Sequence, residues 1–198
     1  MSAPAATSHR ERLLREGVRQ LYARGFHGAT VDNILDASGV PKGSFYHHFG
    51  SKEAFTREVL RRYMERQLER IERWARDDEL STPKALAGYF GEMADGFVRS
   101  EYQRACLAGK LCAEVAADYD AFRAQLAGDM AGWKGRIVEM LGRGQARGDV
   151  RVDRSATELA DAVLALIQGA FVVALASREA SSLDSVRVAL ELLTAAPA

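Results

Sequence analysis

The sequence predicts an all-α fold: an N-terminal three-helix domain built around a helix-turn-helix, followed by a larger helical C-terminal domain. Three observations carry that prediction. Apolar residues recur at helical spacing along most of the chain, and capping residues precede several of those runs. Residues 30–52, TVDNILDASGVPKGSFYHHFGSK, join two short helical patterns through a glycine-centred turn. No stretch shows the alternation or the tight turn of a hairpin. A helix-turn-helix makes double-stranded DNA the first partner to consider.

The elements follow in order. An amphipathic helix is expected over about residues 10–24. In the next, Thr30 serves as N-cap, Asp32 lies in the first turn, Ile34, Leu35 and Ala37 form the apolar side, and Gly39 suits the left-handed position that ends a helix. Val40 plugs the turn and Pro41 fits the first position of the short helix that follows. Phe45 and Phe49, four apart, pack inward, which leaves Lys42, Gly43, Ser44, Tyr46 and His47 to face a groove. Gly43 has no packing task in the pattern, so the backbone there can approach DNA closely. Ser51 caps a long helix running to about Arg76, and Lys52 beside its N-terminus adds charge at a phosphate.

Further along, Thr82 is expected to cap a helix with Pro83 in its first turn, carrying Leu86, Phe90, Met93 and Phe97 on one side. Residues 100–103 have capping-box spacing, although that helix start can equally lie a few residues later. A helix from Asp118 ends in the glycine-rich residues 142–149, a second capping box opens at Ser155, and a last helix carries Leu183, Val186, Leu190 and Leu193.

Residues 13–53 resemble the TetR/AcrR one-component regulators. The amphipathic first helix ends in Gly25-Phe26. The remainder, from Thr30-Val31 to Lys52-Glu53, follows T-V-x-x-I-x-x-x-A-G-V-x-x-G-x-x-Y-x-H-F-x-S-K-E, with Ser38 in place of the usual alanine. The match spans about a quarter of the chain and its motif is highly specific. It implies a TetR-like fold: a helix-turn-helix domain over residues 9–54, a linker helix to about residue 77, and an effector-sensing and dimerisation domain over residues 78–198. It also implies a transcriptional repressor.

Composition agrees. The chain has 198 residues, 47% of them hydrophobic, and no apolar run is expected to reach the roughly 18 residues that span a membrane. Residues 1–8 read as a disordered tail without a secretion signal, so the cytoplasm is the expected location. The net charge is zero but segregated. Residues 8–66 hold 11 Lys+Arg against 7 Asp+Glu, and residues 67–198 hold 16 against 20. A neutral protein can still bind DNA through one basic face. All four histidines lie in the first fifty residues, so the remainder has no imidazole for catalysis or metal binding. No cofactor, metal site or enzymatic activity is expected.

The segment after Ser155 is apolar nearly all round from Ala162 to Ala176, and such a helix must be covered on several sides. TetR-like proteins dimerise through their last two long helices. The resemblance therefore implies a homodimer on a pseudo-palindromic operator, with recognition helices about 34 Å apart. Leu159, Val163, Leu166, Ala170, Val173, Val186 and Leu190 are the expected interface.

The sensor is read from residues 104–114. If these are helical, Cys106 and Lys110 lie four apart on one face and the ammonium can stabilise a thiolate. Cys112 is then about 9 Å along the axis and about 240° around, beyond disulfide reach. Both thiols can equally be small core hydrophobes, the usual state of free cysteine. The run C-x-x-x-K-L-x-A-E-V, with K-G-S-F-Y-H-H-F and S-K-E-A-F before it, is similar to the NemR-like subgroup. Those repressors sense electrophiles and reactive chlorine through a cysteine at the place of Cys106. Related members respond to small carbonyl or acyl ligands without cysteine chemistry. Phe90, Met93, Phe97, Tyr119, Phe122 and Trp133 are the candidate pocket for such an effector. An activator or a chromosome-organising DNA binder is the competing role.

Overall fold

A computed structural model describes residues 8–197. The expected disordered tail falls almost wholly outside them; Ser8 is described, and its hydroxyl caps the first helix by accepting from the Glu11 N–H. That helix, α1 (His9–Gly28), buries Leu13, Leu14 and Leu21 and breaks at Gly25, whose φ of 67° and ψ of −173° are open to glycine almost alone. α2 (Val31–Ser38) begins on Thr30, whose side-chain oxygen accepts from the Asn33 N–H at 3.2 Å, and stops at left-handed Gly39 (φ 61°). In α3 (Lys42–Phe49), Pro41 stands one place before the helix, with extended backbone, and its carbonyl accepts from the Ser44 N–H. Phe45 is fully buried. It meets Phe49 and Phe55 at ring-centroid distances of 5.6 and 5.1 Å.

The long helix α4 (Lys52–Ala75) starts on Ser51, as its spacing predicted, and packs on α1, α5 and α7, so it ties the two domains together. α5 (Thr82–Arg99) starts one residue earlier than expected, with Ser81 at the cap. Thr82 is drawn inward, its N–H donating to Asp149 and its hydroxyl accepting from Arg147. The capping box at Ser100 does not form. Ser100 accepts from the Arg104 N–H, Glu101 and Tyr102 adopt positive φ, and α6 (Leu107–Val115) starts later. α7 (Asp120–Arg147) begins two residues after Asp118 and runs through the glycine-rich stretch to a left-handed stop at Gly148. α8 (Ala156–Ser177) has the predicted capping box at Ser155 and Glu158, and α9 (Ser181–Thr194) packs on α8 and α5.

These nine helices account for the regular structure among the described residues; the isolated bridge from Val150 to Ala195 is the nearest approach to a strand. The expectation about apolar runs needs correcting. Averaged over 18 residues, α8 reaches a mean hydropathy of 2.1, long and apolar enough by length and composition to cross a membrane. Gln168 and Gly169 interrupt the unbroken run without lowering that average much. In the fold, α8 packs on α7 and α9.

Candidate DNA-reading face and sensor cavity

The recognition helix presents its polar side because Phe45 anchors the other. Lys42, Gly43, Tyr46 and His47 are exposed, as is His48, which the sequence reading left out. A Cβ added at Gly43 would meet nothing within 4 Å, so that glycine leaves open surface and fills no packing gap. Ser44 is half-buried beside Nδ1 of His9 at 3.1 Å. Lys42 reaches Asp32 at 3.3 Å across an exposed pair, a contact worth little in water. Thr30 is exposed at the N-terminus of α2. Lys52 is placed differently from the expectation. Its ammonium lies 4.6 Å from the centre of the Phe26 ring and donates to the His27 carbonyl, and burial lowers its pKa. Four arginines of this domain are also engaged internally: Arg10 and Arg61 pair with Glu58, Arg62 with Glu11, and Arg12 donates to the Ser38 and Gly39 carbonyls.

Two expectations about the sensor segment are corrected. Cys106 is not inside a helix but is the N-cap of α6, its Sγ accepting from the Gly109 N–H at 3.4 Å and facing the Gln168 amide at 3.5 Å. Lys110 does not face the sulfur; its ammonium donates to the Tyr22 carbonyl at 2.7 Å. Both differences have one cause: the turn at residues 100–105 delays the helix, so the i to i+4 face starts after the cysteine. Both thiols are free; Cys106 is 6% exposed and Cys112 is half-buried, with burial pushing the Cys112 thiol up.

α6 is fastened to the end of α1 at several points. Besides Lys110, Glu114 accepts from the Phe26 N–H, and the Tyr22 hydroxyl donates to the Ala105 carbonyl at 3.1 Å. Gly25 makes this possible, because a side chain there would occupy the space of the Glu114 carboxylate. Tyr22 gave no motif signal, and Glu114, although part of the C-x-x-x-K-L-x-A-E-V run, was given no partner, since the contacts of both lie more than eighty positions away.

A cavity of about 940 Å³ opens beside Cys106, lined chiefly by apolar groups that include Met130, Phe171 and Leu175, with Lys110 and Arg178 at its polar edges. A second, about 220 Å³, lies across Cys106 between α4, α5 and α7. Of the six residues expected to line a pocket, Met93 and Trp133 do so, in the smaller cavity. Phe90 and Phe97 are packed instead against Phe171, at 5.8 and 5.4 Å. Tyr119 and Phe122 are drawn to Phe26 at 5.4 and 5.2 Å, where they join α7 to the DNA-binding domain. Large aromatics in a helical core reach their own chain first, which is why helical periodicity cannot separate core from cavity wall.

The expected dimer residues divide in the same way. Leu159, Val163, Ala170 and Leu190 are buried within the chain, Leu166 and Val186 are half-buried, and Val173 is exposed. The uncovered apolar surface of α8 and α9 joins Val173 to four residues that were not expected, Val172, Leu175, Val188 and Leu192, all five 44–74% exposed. A helix apolar on every side does not tell which side its own chain takes.

Comparison with known proteins agrees with this geometry. Residues 13–59 match the family model for bacterial regulatory proteins of the tetR family, and residues 83–190 match that of the tetracyclin repressor-like C-terminal domain. The chain is 35% identical to the transcriptional regulator AcuR of Cereibacter sphaeroides, over 81% of its own length and 73% of that protein. It is 32% identical to the HTH-type transcriptional repressor DhaR of Mycobacterium sp. strain GP1, over 91% and 89%. The structure resembles reduced NemR of E. coli with a TM-score of 0.89 at 28% identity, covering 96% of this chain and 98% of that one. A regulatory protein TetR from Rhodobacter sphaeroides gives 0.87 at 29%, covering 94% and 98%. A fold whose helix-turn-helix shows its polar side, joined to a cavity-bearing helical domain, thus belongs to the TetR family of DNA-binding transcriptional regulators, which are not enzymes.

Proposed function

We propose that the chain is a cytoplasmic repressor that holds a pseudo-palindromic operator as a homodimer and releases it when an effector or electrophile acts at the cavity beside Cys106. Lys42, Gly43, Ser44, Tyr46 and His47 meet the major groove, Thr30 meets a phosphate, and Lys52 sets the angle of α4 against Phe26. The uncovered face of α8 and α9 supports dimerisation.

The observation that carries the sensing reading is the position of Cys106. It is the N-cap of α6, and α6 is fastened by Lys110 and Glu114 to the end of α1. A displacement at the sulfur therefore reaches the DNA-binding domain within three turns of helix. With an electron-poor alkene, an Sγ–carbon bond forms and the thiol proton passes to the neighbouring carbon. The added group must then occupy the cavity and push α6. A few kcal/mol of preference for the displaced state is enough for large derepression.

A reversible ligand without cysteine chemistry is the second reading, supported by the volume of the larger cavity, which exceeds what an alkyl adduct alone needs. Titrating operator binding with an electrophile separates the two. Cys106→Ser abolishes release if the sulfur is the sensor; unchanged release removes cysteine from the mechanism. Mass spectrometry of the treated protein locates the adduct.

A further inference from the structure

The smaller cavity has a chemistry of its own. Its walls carry Arg70, Gln67, Tyr63 and Trp133, Met93 supplies an apolar side, and Arg99 and Arg104 stand at its exposed mouth. Three arginines thus meet one carboxylate, Glu92. That carboxylate is already divided between Arg70 at 3.1 Å, Arg73 at 2.6 Å and the Trp74 indole N–H at 2.8 Å. Arg99 and Arg104 have no carboxylate partner among the described residues. The cavity therefore keeps an excess of positive charge.

Its deepest donor is also loosely held. Trp133 is 1% exposed and its indole faces the Tyr89 hydroxyl, and neither buried group makes a hydrogen bond of ordinary length within the protein. Buried donors held so loosely favour an acceptor that enters the cavity and completes their hydrogen bonding. Burial pushes the Tyr22 and Tyr63 phenols up, so they stay protonated donors at neutral pH.

We propose that this cavity binds a small aliphatic monocarboxylate, its oxygens received by Arg70 and Trp133 and its hydrocarbon end directed toward Met93 and Phe171. The charge excess selects an anion over a neutral amide. The volume, about 220 Å³, corresponds to roughly seven water molecules and limits the guest to about five to seven non-hydrogen atoms. Cys106 and Phe171 wall both cavities, so a carboxylate seated here presses on the residue that caps α6. The inference rests on the proposed sensing role of this domain.

Calorimetric titration of the full-length protein with sodium butyrate tests it, with butyramide as the neutral isostere and sodium chloride at equal ionic strength as the control. One saturable site is expected for butyrate and at least tenfold weaker binding for butyramide. Trp133→Phe, which removes only the N–H, and Arg70→Gln should each weaken butyrate roughly tenfold. The rise in Tm with butyrate, present in the parent and reduced in Trp133→Phe, guards against a folding defect. No saturable binding, equal affinity for the amide, or parental affinity in both variants overturns the site. Operator release is read separately. Release by an electrophile in a protein that ignores butyrate leaves the cysteine reading standing and removes this site. Butyrate binding without any change in operator affinity keeps the site and removes its coupling to DNA.

Discussion

The two ends of this molecule encode function in different ways. In α2 and α3, the groups offered to DNA lie within two dozen consecutive residues, and a cap, a left-handed glycine and two inward phenylalanines settle which side they show. Around Cys106, the groups that matter come from α1, α4, α5, α6, α7 and α8, and neither their partners nor their directions follow from local spacing. Short-range patterns make a reading face; a cavity is what remains after distant helices have packed.

That contrast can be broken or sharpened experimentally, beginning with the face that belongs to neither site. Leu192→Glu places a charge on the uncovered surface of α9, where Leu192 is 74% exposed. Folding should be unaffected, but sedimentation should show a monomer and operator affinity should fall about a hundredfold or more as the two half-sites lose their linkage. A stable dimer in that variant would move the interface elsewhere.

Gly25→Ala should have the next largest effect, because the position combines a glycine-only backbone conformation with the space of the Glu114 carboxylate. A loss of about 1–3 kcal/mol in urea denaturation is expected from the backbone alone. Gly43→Ala is the counterpart in the local half: less than about 0.5 kcal/mol in stability, with weaker operator binding. If Gly43→Ala instead destabilised the fold as much as Gly25→Ala, the distinction between a reading face and a packed junction would fail.

Within the reading face, Tyr46→Ala should weaken binding about equally on all sequences, whereas Lys42→Ala should relax base preference at one position, each by about 1–3 kcal/mol in operator titrations. Lys52→Ala, given its contact with Phe26, should alter the salt dependence less than a free phosphate contact would.

The smallest effect concerns acid. Hydrogen bonds from Arg62 to Glu11 and from Arg61 to Glu58 hold both carboxyls below their ordinary value of 4.5, despite some burial. The unfolded chain then takes up protons first, so the stability these groups give is present above about pH 4.5 and is lost as the pH falls below it. Asp129 in α7 has the opposite sign, since burial raises it above 3.8 and its charged form is disfavoured at neutral pH. Asp129→Asn should therefore raise Tm slightly at pH 7 and lose that advantage near pH 4, whereas Glu11→Gln should lower Tm at pH 7 and matter less in acid.

How much was legible depended on the range of the interaction. The caps at Thr30, Ser51 and Ser155, the stop at Gly39 and the inward Phe45 were readable because each involves residues at most four apart. Thr82 was misplaced as a cap for the opposite reason, and of the two starts left open after Ser100 it is the later one that forms. Asp149 and Arg147 take Thr82 inward, and positive φ at Glu101 and Tyr102 turns the chain where a helix start was expected. Lys110 was placed beside Cys106 by counting along a helix that begins one residue too late for the count to hold.

The sequence by itself determined an all-helical chain with a DNA-reading motif and the family it belongs to, because helix periodicity, caps and turn glycines act over one or two turns. Only the tertiary structure decided which apolar side of α8 stays uncovered, which aromatics are core and which line a cavity, and that α6 is fastened to α1 through Lys110 and Glu114. Those outcomes are set by packing between helices distant in sequence, where burial rewards any apolar side chain alike and the competition among partners is resolved only when all of them are in place.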